Sequence, residues 1–317
     1  MSNSANAPRP MVNGAADLSA TDQALNVSEI RYRRLFETAR DGILLLNAET
    51  GQIEDVNPFL VELLGYTHAE FLGKNLWEVG PFRNTALTKD AFIELQRTGY
   101  IRYENLPLET NRGTQVEVEF VSNVYDCDGT KVIQCNIRDI TERKQAEARI
   151  RHLAYHDVLT DLPNRALFYD RLNQAILFAR RERHEVALLY LDLDGFKVVN
   201  DTLGHTAGDQ VLKSVAGRIR SQVRESDTVA RIGGDEFTVI LPRLPHRENA
   251  ALIAQKIIDA CSAPCYLDAH KAEACIGLSI GIAIFPAHGA DLDTLIKAAD
   301  TAMYGAKRAG NSFRFVA

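Results

Sequence analysis

Two acidic segments in the second half of the chain carry residue types suited to metal-assisted phosphoryl chemistry. In Gly233-Gly234-Asp235-Glu236-Phe237, adjacent carboxylates follow two glycines, and apolar runs on either side predict two strands joined by a tight hairpin. Adjacent acids at a hairpin tip repel each other unless a cation shares them, and glycine lets a ligand approach the backbone closely. Taken alone, the segment could also be an ordinary solvated turn.

A second acidic segment favours a functional interpretation. The apolar run 186–191 predicts a strand that is buried on both faces, and it ends in Asp192-Leu193-Asp194-Gly195. Because the two aspartates are two residues apart, they share one face of this strand. Mg²⁺ binds carboxylate oxygens together with substrate phosphates. A strand end of this kind, facing the acidic hairpin, predicts a site for phosphoryl transfer.

These segments and their neighbours resemble the GGDEF-domain diguanylate cyclases. The resemblance covers about residues 152–317, and its motifs lie at 156–165, 192–201, 204–209, 231–237, 279–283 and 302–311. It implies an α+β domain similar to nucleotidyl cyclases and polymerase palm domains. It also implies an enzyme that condenses two GTP molecules into cyclic di-GMP and releases two pyrophosphates.

The resemblance further implies roles for individual residues. Asp192 and Glu236 would bind Mg²⁺ or Mn²⁺, with the carbonyl of Leu193 as a third ligand. Asp235, with Glu236 the predicted catalytic pair, would act as a base or bind a second metal ion. The metal role is favoured, because a lone carboxylate is too weak a base for a sugar hydroxyl. The predicted substrate-binding residues are Phe196, Lys197, Asn200, His205, Asp209, Gly233, Gly234 and Lys307.

Selection of guanine follows from hydrogen-bond chemistry as well as from the resemblance. Guanine presents two donors, N1–H and the N2 amine, which suit a carboxylate, and Asn200 and Asp209 match the guanine-reading positions of the family. Adenine would leave Asp209 unpaired, so we expect GTP to be preferred over ATP. Asn200 could instead form a turn, and Asp209 could favour a helix start. Asn311 stands where many members carry Arg or Lys, which predicts weaker triphosphate binding.

Arg224 and Asp227 form an Arg-x-x-Asp motif upstream of the hairpin. At this position the motif resembles the inhibitory product site of the family, which implies noncompetitive inhibition by cyclic di-GMP. The ordinary alternative is a weak i, i+3 ion pair.

The first half of the chain predicts a sensor domain. Residues 1–26 are rich in Ser, Asn, Ala and Pro and predict a disordered tail, or a frayed helix. Residues 27–140 predict short helices and an antiparallel sheet that ends in a three-stranded meander, and they resemble a PAS domain. The ligand of this domain is unknown. Residues 73–78 lack the Asn-Cys-Arg motif of flavin-binding members, and His68 is the only histidine within residues 27–140, so neither flavin nor haem is expected.

Residues 141–155 predict a helical signalling linker ahead of the GGDEF domain at 156–317. Asp139 and Glu142 have capping-box spacing, and Ala146, Ile150 and Leu153 predict either a short two-stranded coil or a simple amphipathic connector. Cyclic di-GMP has two identical phosphodiester links, whereas one chain carries one acidic site. Two subunits must therefore face each other across a two-fold axis. We expect the PAS domain and linker to control this homodimer.

Composition excludes several classes of function. The chain has 36 basic and 42 acidic residues and no basic stripe, which argues against nucleic acid as a partner. No apolar run is long enough to span a bilayer and no export signal is present, so a cytoplasmic protein without membrane insertion is expected. Five cysteines without Cys-x-x-Cys pairs predict reduced core residues rather than disulfides or zinc ligands.

Three hypotheses of different classes follow. The first is an active diguanylate cyclase, which the intact acids at 192, 235 and 236 favour. The second is a catalytically silent module that binds GTP or cyclic di-GMP. The third is a scaffold partner that acts on a phosphodiesterase in trans.

Overall fold

The computed structural model describes residues 14–83, 85–86, 89–267 and 272–316. It divides the chain into two compact units, residues 1–147 and 148–317. Each unit combines one five-stranded sheet with helices. The predicted α+β class is therefore confirmed.

The first unit contains an antiparallel sheet with the strand order β2-β1-β5-β4-β3. Its last three strands form the predicted meander. The elements are α1 (Gly14–Thr38), β1 (Gly42–Asn47), β2 (Ile53–Val56), α2 (Pro58–Leu64), α3 (His68–Phe71), 3-10 turns at Leu76–Glu78 and Gly80–Phe82, α4 (Lys89–Thr98), β3 (Tyr100–Glu109), β4 (Gln115–Cys127) and β5 (Thr130–Asp139). Helix α5 (Thr141–Tyr155) follows and continues into the second unit.

A buried asparagine organises the start of the first unit. Asn57 is fully buried and caps α2 by accepting the N–H of Leu60 at 3.2 Å. The same oxygen accepts the N–H of Ile43 at 2.9 Å, and the amide donates to the carbonyl of Asp41 at 2.9 Å. Because one side chain satisfies groups on three segments, it fixes α2 against the beginning of β1.

A cavity of about 20 Å³ lies between the sheet and α4 of the first unit. Ser122 and Cys135 lie at its wall, where the Ser122 hydroxyl donates to Sγ at 2.8 Å. This volume is close to that of one water molecule. A larger ligand would have to displace side chains such as Trp77 and Phe120.

Part of the N-terminal segment follows the helical alternative and not the disordered tail. Residues 1–13 lie outside the described residues, but residues 14–26 belong to helix α1. The chain has neither glycine nor proline between residues 15 and 41, so nothing interrupts a helix that the alanines already favour. The polar composition of the segment gave no indication that the helix continues through residues 14–26. Several apolar side chains of α1 remain more than half exposed, namely those of Leu25, Val27, Ile30, Tyr32 and Leu35.

The linker helix α5 begins at Thr141, whose N–H donates to the carboxylate of Asp139 at 2.8 Å. Asp139 therefore supplies its half of the predicted capping box, whereas Glu142 makes no return hydrogen bond to it among the described residues. No residue of α5 is buried within the chain, and Ile150 and Leu153 are 66% and 49% exposed.

The second unit is built on a sheet with the order β12-β11-β6-β8-β7, in which β6 is central and antiparallel to both neighbours. Helices cover both faces. The elements are α6 (Arg165–Glu182), β6 (Glu185–Asp194), α7 (Phe196–Leu203), α8 (His205–Ser221), β7 (Thr228–Gly233), β8 (Glu236–Leu244), α9 (Arg247–Ser262), β9 (Cys265–Leu267), β10 (Ala272–Ala274), β11 (Gly277–Phe285), α10 (Leu292–Lys307) and β12 (Phe313–Phe315).

Strand β6 is buried on both faces, as its unbroken apolar run predicted. Leu189 and Leu191 join the apolar cluster on the side of α8 and α9, whereas Leu188 and Tyr190 join the cluster on the side of α6 and α10. Alternation along the strand therefore directs Asp192 to the same face as Tyr190.

The structure corrects one prediction about the cysteines. All five are free, and Cys135, Cys261 and Cys265 are buried, but Cys127 and Cys275 are exposed. Cys127 ends β4 at a hairpin turn and Cys275 lies between two strands, so neither reaches a core. Across the described part of the chain, no helix is both long and apolar enough to cross a membrane.

Candidate active site

The two acidic segments meet at one end of the central strands. In the antiparallel register of β6 and β8, Asp192 lies directly opposite Glu236. The hairpin that leads into β8 turns at Gly234, whose φ of 52° favours glycine. The backbone N–H of Leu193 donates to the carbonyl of Asp235 at 3.3 Å. The strand end and the hairpin tip predicted separately from the sequence are therefore joined by backbone hydrogen bonds.

A lysine from the last helix already neutralises one of these acids. Lys307, the final residue of α10, places Nζ 2.6 Å from Oδ1 of Asp192, a side chain that is only 10% exposed. Burial raises the pKa of Asp192, and the hydrogen bond from Lys307 acts in the opposite direction. The same bond raises the pKa of Lys307. The residue expected to hold phosphate thus lies within the acidic site, on the predicted metal ligand.

Glu236 has a neutral partner that was not identified from the sequence. The hydroxyl of Tyr190 donates to Oε2 of Glu236 at 3.0 Å. Burial raises the pKa of Tyr190, and the nearby charge of Glu236 raises it further, so the phenol stays protonated. The sequence does contain one signal for this contact. Side chains alternate along a strand, so Tyr190, two residues before Asp192, lies on the same face of β6.

Asp194 forms its hydrogen bonds with residues outside the group of Asp192, Glu236 and Lys307. Both of its carboxylate oxygens accept the Ser279 hydroxyl at 2.9 Å, and one accepts the N–H of Asn311 at 2.9 Å. Asn311 in turn accepts the N–H of Leu278 at 3.2 Å. Asp194 and Asn311 therefore fasten the C-terminal segment to β11. This contact gives Asn311 a structural function at the position where a basic residue was expected.

The predicted guanine-reading residues come together where α7 packs against α8. A Cβ on Gly208 would lie 2.0 Å from Oδ1 of Asn200, so glycine is needed for this contact. Half-buried Asn200 thus lies beside the backbone next to Asp209, which is exposed. Phe196 is 8% exposed, and its ring tip would approach the same Cβ at 3.2 Å. Phe196 therefore supports the α7–α8 contact from the core.

The other predicted substrate-binding residues lie at the surface. Lys197 is exposed in the first turn of α7, and His205 is exposed at the start of α8. Gly233 and Gly234 are exposed at the hairpin. All four are accessible to a ligand.

An ion pair holds the hairpin from behind. Arg231 donates to both carboxylate oxygens of Asp157 at 2.9 and 3.1 Å, and to the carbonyl of Gly234 at 2.7 and 3.0 Å. Its side chain is only 11% exposed. Burial alone would raise the pKa of Asp157, but hydrogen bonds from Thr160 and Arg231 outweigh it and lower the pKa. Both residues lie in sequence motifs, yet their pairing was not predicted.

Arg224 and Asp227 lie at a separate cavity of about 560 Å³. Asp227 accepts the backbone N–H of Arg224 at 3.0 Å, which closes a tight turn. The side chains of both residues line the cavity, together with two further arginines, Arg171 and Arg220. Three carboxylates, those of Asp161, Glu225 and Asp227, lie in the same lining, so the cavity offers arginine donors beside carboxylate acceptors.

The acidic site offers hard oxygen donors of the kind that Mg²⁺ and Mn²⁺ bind. No group of three or more His, Cys, Asp or Glu side chains suited to a metal ion occurs among the residues described. The predicted set, however, has two carboxylates and the Leu193 carbonyl, and substrate phosphates would complete it. The ammonium of Lys307 on Asp192 demonstrates that this position accepts a cation.

Comparisons with known proteins agree with this geometry. The family model for "Diguanylate cyclase, GGDEF domain" matches residues 154–312, and a PAS domain model matches residues 40–142. Diguanylate cyclase TpbB of Pseudomonas aeruginosa is 47% identical over 54% of this chain and 39% of its own. Diguanylate cyclase DgcM of Escherichia coli is 30% identical over 89% of this chain and 67% of its own. The chain thus spans about two fifths of TpbB.

Two solved structures extend the comparison. The GGDEF domain of TpbB matches with a TM-score of 0.50 and 47% identity, over 51% of this chain and 94% of that chain. The coiled coil and GGDEF domain of DgcB from Caulobacter crescentus, solved in complex with c-di-GMP, matches with a TM-score of 0.51 and 30% identity, over 56% and 93%. With the acidic hairpin and strand end in register, these matches establish that the chain belongs to the GGDEF diguanylate cyclase family and carries a PAS domain ahead of its GGDEF domain.

Proposed function

We propose that the protein is a diguanylate cyclase that condenses two GTP molecules into cyclic di-GMP and two pyrophosphates. The observation that carries this proposal is the register of Asp192 opposite Glu236 at the GGDEF hairpin. Family membership supports it. Free cysteines and a GTP substrate are typical of the cytoplasm, where we expect the enzyme to act.

Asp192, Glu236 and the Leu193 carbonyl would hold Mg²⁺ or Mn²⁺ in this proposal. When bound, the metal neutralises charge on the α-phosphate and makes the 3′-hydroxyl of the second GTP more acidic. Lys307 bonds Asp192 at 2.6 Å, and its flexible side chain can turn to a phosphate once another cation neutralises the carboxylate. Asp235, beside the same acids, would accept the hydroxyl proton or hold a second metal.

The remaining predicted residues would bind the nucleotide. Asn200 and Asp209 would pair with the guanine edge, and His205 lies one α8 turn away from Asp209. Lys197 would hold a phosphate. The exposed glycines of the hairpin allow the triphosphate to approach the backbone.

Dimerisation follows from the product. Each described chain offers one acidic site, whereas cyclic di-GMP has two equivalent links, so two chains must act together. The apolar side chains of Ile150 and Leu153 on α5 are exposed and available for pairing between copies. We propose that the PAS domain and α5 control the orientation of the two sites. Cysteine cross-links placed along α5 should change activity with helical phase, and equal activity at all positions would contradict this control.

The arginine-rich cavity would bind cyclic di-GMP as a feedback inhibitor. Its three arginines suit the phosphates of the product, and DgcB was solved with c-di-GMP. Arg224→Ala should relieve noncompetitive inhibition, while Arg243→Ala, an exposed arginine on β8, should leave it unchanged. Equal inhibition of the Arg224→Ala and parent enzymes would refute the assignment.

The cyclase assay uses the full chain with GTP and Mg²⁺ or Mn²⁺, and separates products by chromatography. Cyclic di-GMP from the parent and from Glu248→Gln, but not from Glu236→Gln, is the expected result. Glu248 lies in the first turn of α9 and serves as a matched control. GTP that binds without conversion under all metal conditions would instead favour the silent binding module.

A further inference from the structure

Tyr190 lies behind the acidic site and bonds one of its two opposed carboxylates. We propose that Tyr190 is a positioning residue that orients Glu236 for metal binding. The inference rests on the proposed function, because it concerns the metal that this function requires. Neither the motif carried by Glu236 nor the Asp192 segment identifies this residue.

The geometry supports a single orientation for the carboxylate. Tyr190 and Asp192 point to the same face of β6, and Glu236 reaches this face from β8. The Tyr190 hydroxyl lies 3.0 Å from Oε2. Oε1 is left free, together with the second lone pair of Oε2, for a cation. The bond therefore restricts the carboxylate without occupying all its ligand positions.

Packing makes Tyr190 a rigid donor. The residue is only 8% exposed and belongs to the buried apolar cluster that includes Phe168 and Met303. A phenol has two side-chain torsions, and this cluster restricts them. The hydroxyl is thus held at one point on the strand, whereas the longer Glu236 side chain has more torsional freedom.

Side-chain chemistry gives the hydrogen bond its direction. An ionised carboxylate can only accept, and a tyrosine phenol, whose ordinary pKa is about 10, carries the proton to donate. The phenol is therefore a neutral donor and Glu236 the charged acceptor. Bonds of this kind orient metal ligands, and their loss typically weakens metal affinity about 10- to 100-fold.

The test uses Tyr190→Phe in the full chain, because phenylalanine keeps the ring and removes only the hydroxyl. Mn²⁺ affinity is measured by electron paramagnetic resonance with an α,β-methylene GTP analogue that cannot release pyrophosphate. We expect Mn²⁺ to bind about 10- to 100-fold more weakly. Tyr266→Phe, which alters an exposed tyrosine of β9, should bind Mn²⁺ like the parent. Unchanged Mn²⁺ affinity in Tyr190→Phe would overturn the inference.

A double-mutant cycle separates orientation of Glu236 from general packing. Glu236→Asp keeps a carboxylate but shortens its reach to Tyr190. If Tyr190 acts through Glu236, adding Tyr190→Phe to Glu236→Asp should change Mn²⁺ affinity by less than about twofold. Equal losses in both backgrounds would mean that Tyr190 acts elsewhere, and would also overturn the inference.

The same preparations distinguish this inference from the proposed function. Weaker Mn²⁺ binding by Tyr190→Phe, in a parent that makes no cyclic di-GMP, would uphold the positioning role and refute the cyclase. Cyclic di-GMP production by the parent, with unchanged Mn²⁺ affinity in Tyr190→Phe, would uphold the cyclase and refute the positioning role. The melting temperature without metal reports any loss of folding in the variant.

Discussion

Replacing Asp157 by asparagine should weaken the ion pair that anchors Arg231 behind the GGDEF hairpin. Asparagine has the same shape, and its oxygen can still accept the Thr160 N–H that Asp157 accepts at 2.9 Å. It has no charge to pair with Arg231. The variant therefore removes the ion pair with little change in packing, and leaves Arg231 bound to the Gly234 carbonyl.

The expected magnitude follows from burial. The side chains of Arg231 and Asp157 are 11% and 23% exposed. An exposed pair contributes at most about 1 kcal/mol, whereas breaking a fully buried pair costs about 3–5 kcal/mol. We therefore expect a loss of about 2 kcal/mol, which lowers the melting temperature of a domain of this size by about 4–8 °C.

The two units can be followed separately in the full chain. Trp77 is the single tryptophan and lies in the first unit, so its fluorescence reports that unit. Circular dichroism follows both. Asp157→Asn should lower the melting temperature of the second unit, which circular dichroism detects. The melting temperature of the first unit, followed by Trp77 fluorescence, should stay unchanged. Asp170→Asn, on the exposed side of α6, should change stability by less than about 0.5 kcal/mol.

The pH dependence provides a second check. Burial would raise the pKa of Asp157, but bonds from Thr160 and Arg231 lower it below its ordinary value of 3.8. An acid with a lowered pKa in the folded state stabilises the fold above its unfolded pKa, and this contribution is lost as pH falls through the folded pKa. The difference in free energy of unfolding between the parent and Asp157→Asn should have its full value at pH 7 and shrink below about pH 4. A loss below 0.5 kcal/mol at pH 7 would refute the proposed support.

Three further predictions concern other regions. Gly208→Ala should displace Asn200 and weaken binding of a GTP analogue by about 3- to 10-fold, whereas Gly217→Ala, with open space at its Cβ, should not; equal affinities would contradict the contact. Burial lowers the pKa of His288, whose Nδ1 accepts the Ile284 N–H, so its stabilising contribution should be lost as pH falls below 6.5 toward the folded pKa; a nuclear magnetic resonance titration midpoint above 6.5 would contradict this. A thiol reagent should modify two cysteines in the native chain and the three buried ones only after unfolding, as counted by mass spectrometry.

Local patterns were sufficient to predict the strands that carry the acids. The unbroken apolar run before Asp192 identified a central strand, and the glycines before Asp235 identified the turn of a hairpin. Both signals depend on neighbours in the chain: an apolar run identifies a buried strand, and two glycines permit a tight turn. The register of Asp192 with Glu236 then follows from pairing between β6 and β8.

The contacts that support the acids could not be derived from the same patterns. Tyr190 bonds a residue 46 positions away, Arg231 one 74 positions away, and Lys307 one 115 positions away. Spacing along one strand or helix identifies a face, but it does not identify the side chain that another element brings to that face. The sequence places Tyr190 in an apolar run. Only the pairing of β6 with β8 brings Glu236 within reach of its hydroxyl.

Asp192 and Asp194 differ in how the fold holds their carboxylates. Asp194 is held by a serine hydroxyl and a backbone N–H, both fixed by β11 and the C-terminal segment. Two independent donors therefore hold Asp194 between these segments. Asp192 is held by Lys307, whose own side chain is 43% exposed. In the proposed cyclase this flexible ammonium would give way to a metal ion, because the carboxylate would again face a cation. Of two aspartates only two residues apart, Asp192 alone is therefore free to exchange its partner.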